Sequence, residues 1–98
     1  MPDVEKPARL YAAALERRRA RERVAPYARK LYRWQSQAVM IGALAGSGRD
    51  TDVARAALKQ QVEQARADFL AEMADIRDMP SAVDYIGSLD RLLATRFG

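Results

Sequence analysis

The short stretch Gly46-Ser47-Gly48-Arg49-Asp50 divides the sequence of 98 residues into two helical halves. Glycine just past the end of a helix, and Asp or Thr at the start of the next, are the usual stop and start residues. The stretch therefore predicts that one helical segment ends near Gly46 and that another begins near residue 52, capped by Asp50 or Thr51. Two helices joined by so short a turn lie antiparallel.

The second half carries a narrow apolar seam that predicts a helix over about residues 52–78. The members of the seam recur every three or four residues and are Leu58, Val62, Ala65, Phe69, Met73 and Ile76. Pro80 cannot continue this helix, and Ser81 followed by Asp84 resembles a capping box. A last helix over about residues 81–96 then folds back on the second. Its apolar face is formed by Ala82, Tyr85, Ile86, Leu89, Leu92 and Leu93.

The first half contains two apolar patterns separated by Pro26. A helical pattern starts near Pro7, and a second apolar stripe follows Pro26. This stripe comprises Tyr27, Leu31, Trp34, Ala38, Ile41 and Ala45. Pro26 either kinks one long helix or separates two helices. Residues 20–27 contain no Gly, Asn, Asp, Ser or Thr, which favours the kinked continuous helix.

These patterns predict an all-α fold, a small antiparallel helical bundle formed by residues 1–98 as a single helical domain. Nineteen alanines and only five glycines favour helix, and no alternating run indicates a strand. The bundle consists of a long helical hairpin, with the kink or break near Pro26, and a C-terminal helix folded back on it.

Several function classes are excluded by composition. The sequence has no cysteine and no histidine, which removes disulfides, thiol nucleophiles, zinc fingers and imidazole acid–base chemistry. Asp68, Glu72 and Asp75 share a helix face, but carboxylate metal sites in bundles usually include histidine. No glycine-rich phosphate loop is present. We therefore expect no enzyme activity, no metal and no cofactor.

The sequence also indicates a cytoplasmic protein without a membrane span. Residues 1–7 lack the apolar segment of a secretory signal. The longest uncharged stretch runs from residue 34 to residue 48, which is shorter than the roughly 20 apolar residues that cross a bilayer.

Basic residues are concentrated in the first half of the chain. Residues 1–49 contain 11 basic and 4 acidic residues, whereas residues 50–98 contain 6 basic and 9 acidic ones. Eight cations between residues 17 and 33 face only Glu22 in the same span. We call them the basic patch: Arg17, Arg18, Arg19, Arg21, Arg23, Arg29, Lys30 and Arg33.

Two interpretations compete for the basic patch. It could bind nucleic acid, since a basic helix supplies phosphate contacts; or it could form salt bridges within the protein or between subunits. Antiparallel pairing places residue i of the first half beside about residue 97 − i of the second, which brings an acidic row to the basic patch. This acidic row is Asp68, Glu72, Asp75 and Asp78. Tyr27 and Trp34 lie with Leu31 on the helix and are expected in the core.

The segment after Trp34 is apolar on all sides. The last helix is expected to cover residues 19–34 and 63–78, which leaves residues 34–46 and 51–63 only two helices thick. An all-round apolar helix must be buried by something. Either the first helix folds back over it, or it is an interface with a partner or a second copy. We call these interface residues the apolar end: Ala38, Val39, Met40, Gly42 and Leu44.

The sequence thus predicts a small helical interaction or assembly protein, a self-associating subunit or an adaptor of a larger complex. The partner is expected to be another protein or a second copy of the chain. The alternative is an accessory protein that binds nucleic acid through the Arg-rich segment 17–33.

Overall fold

The computed structural model describes the backbone of residues 2–98 and the side chains of residues 8–98. Within this part the chain forms three α-helices and no strand, so the all-α prediction is confirmed. They are α1 (Pro2–Gly46), α2 (Asp52–Glu72) and α3 (Pro80–Arg96), with a single 3₁₀ turn over Ala74–Ile76. None of the described helices is long and apolar enough to span a bilayer. The expectation about a secretory signal concerns residues 1–7, whose side chains lie outside the described part.

Helix α1 is continuous through Pro26, so the alternative of two separate helices is wrong. At about 1.5 Å per residue its 45 residues span about 67 Å, which accounts for the longest dimension of the molecule, 70 Å. Pro26 is exposed, so its ring points away from the core, and the unpaired backbone carbonyl four residues earlier remains open to water.

The turn after α1 forms as the glycines predict. The Ser47 and Arg49 amides donate to carbonyls in the last turn of α1, at 3.1–3.2 Å. Gly48 has a φ of 87°, a left-handed conformation that glycine adopts without steric cost. Thr51 occupies the N-cap position of α2, but its side chain makes no capping bond. The Asp50 carboxylate instead accepts the Asp52 amide at 3.1 Å.

Helix α2 ends at Glu72, earlier than the predicted residue 78. The Met73 backbone leaves helical geometry, and its amide still donates to the Phe69 carbonyl at 2.8 Å. The following 3₁₀ turn turns the chain back, while Met73 and Ile76 keep their packing against the core. No glycine or proline marks this end in the sequence, so the local pattern could not reveal it.

The predicted capping box at Ser81 is wrong. Met79 is the N-cap of α3 and Pro80 is its first residue, the position where a missing amide hydrogen is harmless. The Ser81 hydroxyl lies buried without a hydrogen-bond partner among the described residues.

The core lies where the three apolar faces meet. Phe69, Leu89 and Val62 are its largest fully buried side chains. From α1 it receives Val24, Leu31, Trp34 and Ala38. The rings of Tyr27, Phe69 and Tyr85 form a cluster with centroids 4.6–5.9 Å apart, a separation typical of favourable aromatic pairs.

Candidate interaction surfaces

The first candidate surface is the part of α1 that extends beyond the bundle. No residue between 8 and 19 is buried, and Ala20 is the first buried residue of α1 among the side chains that the structure describes. We call residues 8–19 the arm. Leu10 and Tyr11 on the arm are 69% and 72% exposed. The arm is therefore a helix with an apolar side that nothing in the described structure covers.

The residues of the apolar end differ in how much of each is exposed to solvent. Ala38 is only 4% exposed and belongs to the core, so its assignment to an exposed interface is not supported. Val39 and Met40 are 53% and 64% exposed, and Leu44 is 38% exposed. Gly42 is exposed as well. The alternative that the first helix folds back over this end is wrong, because α1 is one continuous helix from the arm to Gly46.

Helix α3 also reaches further along α1 than the predicted residue 34. Thr95, Arg96 and Phe97 line a pocket together with Ile41 and Gly42. Phe97 is 7% exposed, and the Arg55 guanidinium lies 5.8 Å from the centre of its ring. Arg55 also donates two hydrogen bonds to the Arg96 carbonyl, at 3.1 and 3.3 Å. Helix α3 begins beside Arg17 and Arg21 and extends along α1 as far as Gly42, so it covers part of the end that was expected to be bare.

One member of the basic patch pairs with the acidic row. Arg23 donates two hydrogen bonds to the Asp75 carboxylate, at 2.7 and 3.1 Å. This hydrogen bonding holds the pKa of Asp75 below its usual value and raises the pKa of Arg23. Both side chains remain exposed. The contact lies within two residues of the register predicted from the turn.

A second contact in the same register involves a residue assigned to the core. The Tyr27 hydroxyl donates to the Glu72 carboxylate, and this bond raises the pKa of Tyr27. Its ring packs at 5.2 Å against Phe69, so Tyr27 is a core residue with a polar tip at the surface. Two carboxylates of the acidic row, those of Asp75 and Glu72, thus contact α1 at Arg23 and Tyr27.

The remaining members of the acidic row make no contact with the basic patch in the described part of the chain. Asp68 accepts a hydrogen bond from Gln64, at 2.9 Å. Asp78 is exposed in the turn before α3. A pair that the sequence did not indicate, Arg66 with Asp90 at 2.7 Å, joins α2 to α3 instead.

Most of the basic patch faces solvent and has no carboxylate partner among the described side chains. Arg18 contacts Glu22 at 3.3 Å one turn along the same helix. Six members have no ion pair within 4 Å among the described residues: Arg17, Arg19, Arg21, Arg29, Lys30 and Arg33. Tyr32 is 75% exposed and lies between the last of these cations. Internal salt bridging therefore accounts for only part of the basic patch.

An open groove between α1 and α2 was not indicated by the sequence. It encloses about 760 Å³ and is lined by Trp34, Ala57 and Ala65, with Asp68 and Glu72 at one end. The groove exists because α3 packs on the other side of the hairpin. Inter-helix spacing of this kind depends on tertiary packing, which residue patterns do not report.

The Tyr85 hydroxyl is the most unusual polar group of the core. Tyr85 is 3% exposed, and its hydroxyl has no hydrogen-bond partner among the described residues. Burial raises the pKa of Tyr85 to about 12. Within residues 8–98, no group of three or more acidic side chains converges as a metal site would require.

Comparison with known proteins identifies no relative: no family model, no curated protein and no solved structure matches this chain.

Proposed function

We propose that this protein is a non-enzymatic helical interaction or assembly protein that docks on a partner through α1. The observation that carries the proposal is the arm, where Leu10 and Tyr11 are more than two-thirds exposed and none of residues 8–19 is buried.

Helix physics supports a docking role for the arm. The arm continues a helix that the bundle holds in place, but most helical stability comes from burying an apolar face, which the arm does not do. The described arm has twelve residues and an unburied apolar side. A partner that covers this side stabilises the arm and removes its apolar surface from water. The absence of histidine and cysteine is in keeping with a role other than catalysis.

A matched pair of variants tests the proposal. Leu10→Ser with Tyr11→Ser removes the apolar side of the arm, and Val53→Ser changes a valine that is 85% exposed on α2. We expect proximity labelling in the native cell to lose its main protein neighbours in the arm variant and keep them in the control. The purified neighbour must then protect arm amides from hydrogen exchange. Identical neighbours for both variants would contradict the proposal. Cytoplasmic localisation remains a prediction that cell fractionation tests.

The unpaired cations favour a second candidate function, a nucleic-acid-binding accessory protein. Six of the eight members of the basic patch lack a carboxylate partner in the described structure, and exposed Tyr32 offers a ring for stacking. Such binding reads phosphates and not sequence. Replacing Arg29 and Arg33 by Gln should lower the log–log salt slope by about one unit per lost phosphate contact. Lys59→Gln, an exposed position on α2, is the control.

A further inference from the structure

The face of α1 that points away from the bundle carries a regular pattern. Its members recur with steps of three, four and four residues, and all are exposed. We call this the outer face: Tyr11, Ala14, Arg18, Glu22, Ala25, Arg29, Arg33, Ser36 and Met40. An eleven-residue repeat averages about 3.67 residues per turn, so the line runs nearly straight along the helix. The outer face therefore offers a straight surface to another straight helix.

Four of the six large apolar side chains that are exposed on the described part of α1 are distributed symmetrically about Ala25. Leu10 and Met40 lie fifteen residues on either side of it, and Tyr11 and Val39 lie fourteen residues on either side. These four side chains are 53–72% exposed. In an antiparallel pair of α1 helices crossing at Ala25, residue i stands beside residue 50 − i of the other copy. Each apolar pair is then covered by the equivalent pair of the second molecule, as a two-fold interface requires.

The positions between these pairs are compatible with the same register. Ala25 meets its own counterpart on the axis, and Ala14 faces Ser36, so the two backbones can approach closely. Arg18 faces Tyr32, which is 75% exposed, an arrangement suited to a cation–π contact.

The only carboxylate within the basic patch falls at a complementary position. In this register Arg29 of one copy lies opposite residue 21 of the other, and Glu22 is the next residue along the helix. Each half of the interface therefore contains one pair of opposite charges, Glu22 with Arg29. Arg21 faces Arg29 and Arg17 faces Arg33 in this register, so like-charge pairs outnumber the opposite-charge pairs, and dissolved salt screens this repulsion. The balance predicts an association that tightens as the salt concentration rises.

We propose that two copies of this chain associate through their outer faces as an antiparallel pair centred on Ala25. This proposal rests on the proposed function and names a second copy as the partner. Helices α2 and α3 pack against the opposite face of α1, where the core residues lie. Helix α3 borders one edge of the outer face, where Ala25 lines a pocket with Ser81 and Tyr85, and the members of the outer face remain exposed.

Engineered cysteines test the register in the full chain, because the natural sequence has none. We expect Ala25→Cys to form a disulfide-linked dimer under mild oxidation. Ala54→Cys, at an exposed position on α2, should remain monomeric. Leu10→Cys should cross-link to Met40→Cys when the two proteins are mixed, and neither should cross-link efficiently alone. Circular dichroism before oxidation establishes that each variant is folded.

Light scattering of the unmodified protein gives the second measurement. We expect dimer mass at tens of micromolar, a larger dimer fraction at high salt, and monomer mass for Ala25→Glu. A protein that stays monomeric at every salt concentration and forms no Ala25→Cys cross-link would overturn the dimer. If its arm is nevertheless protected by a host protein, the proposed function stands without the dimer. If instead the monomeric protein binds duplex DNA, and binds it more weakly as the salt concentration rises, the dimer and the proposed docking function are both replaced by the nucleic-acid alternative.

Discussion

The arm and the bundle are built on the same helix, yet they are stabilised in different ways. From Val24 to Ala38, α1 contributes four buried side chains to a core shared with α2 and α3. Between residues 8 and 19 it contributes none. The bundle part depends on side-chain packing, whereas the arm depends on helix propagation from the bundle and on its alanines. One helix can therefore be rigid at one end and ready to bind at the other.

The largest expected effect comes from removing the centre of the core. Phe69 is fully buried between Tyr27 and Tyr85, and Phe→Ala in a core costs about 3–5 kcal/mol. This approaches the whole stability of a small domain. We expect Phe69→Ala to lose the cooperative thermal transition in circular dichroism, and arm helicity to fall with it. Val53→Ala is the exposed control. A melting temperature within a few degrees of the natural protein would contradict the described core.

A stabilising change at the junction would separate the two regions. Pro26 lies within α1, six residues after the first buried position, and cannot donate to the Glu22 carbonyl. Pro26→Ala restores that bond, with a net gain of about 1–2 kcal/mol after the extra freedom of the unfolded chain is counted. We expect a higher melting temperature and slower hydrogen exchange in the turns before residue 26. Unchanged exchange there would mean that the arm is not coupled to the bundle through this turn.

The buried Tyr85 hydroxyl predicts an intermediate effect. Since a buried hydroxyl without a partner costs about 1–3 kcal/mol, we expect Tyr85→Phe to raise the free energy of unfolding, measured by urea titration. Tyr32→Phe, at a largely exposed ring, should change it little. A clear loss of stability in Tyr85→Phe would show that the hydroxyl has a partner.

The same residue predicts sensitivity to alkali. The pKa of Tyr85 is raised from 10.0 to about 12 in the folded protein, so the folded state favours the protonated form. Below pH 10 the Tyr85 hydroxyl is protonated in both the folded and the unfolded protein, and the free energy of unfolding does not depend on its titration. As the pH rises from 10 towards 12, the unfolded protein loses this proton first, and the free energy of unfolding falls. We expect the natural protein to lose more stability than Tyr85→Phe over this range.

The smallest effect is expected at the exposed pair of Arg23 and Asp75. Its double-mutant coupling, measured with Arg23→Gln and Asp75→Asn, should be favourable but weak. Because the pKa of Asp75 is lowered from 3.8, this contribution is present above that pH and is lost as the pH falls below it. No coupling in the cycle would mean that the pair does not join the basic patch to the acidic row.

The sequence was sufficient for the periodic features and insufficient for those set by packing between helices. The seam from Leu58 to Phe69 and the turn at Gly48 follow from local patterns, and the hairpin register follows from the turn to within two residues. The burial of Ala38 agrees with the apolar stripe and not with its assignment to the apolar end. The end of α2 at Glu72 depends on tertiary packing, which no local pattern reports. The basic patch illustrates the same limit, because the predicted pairing with the acidic row is formed at Arg23 and not at Arg29.

The length of α1 also governs how the molecule behaves in solution. The radius of gyration is 18.2 Å, whereas a compact domain of this size has one of about 13 Å. A rod tumbles and diffuses more slowly than a sphere of equal mass. A single copy will therefore leave a gel-filtration column early, in the volume of a heavier globular protein. Elution volume alone would report a dimer whether or not one exists, and mass must be read from scattered light or sedimentation equilibrium.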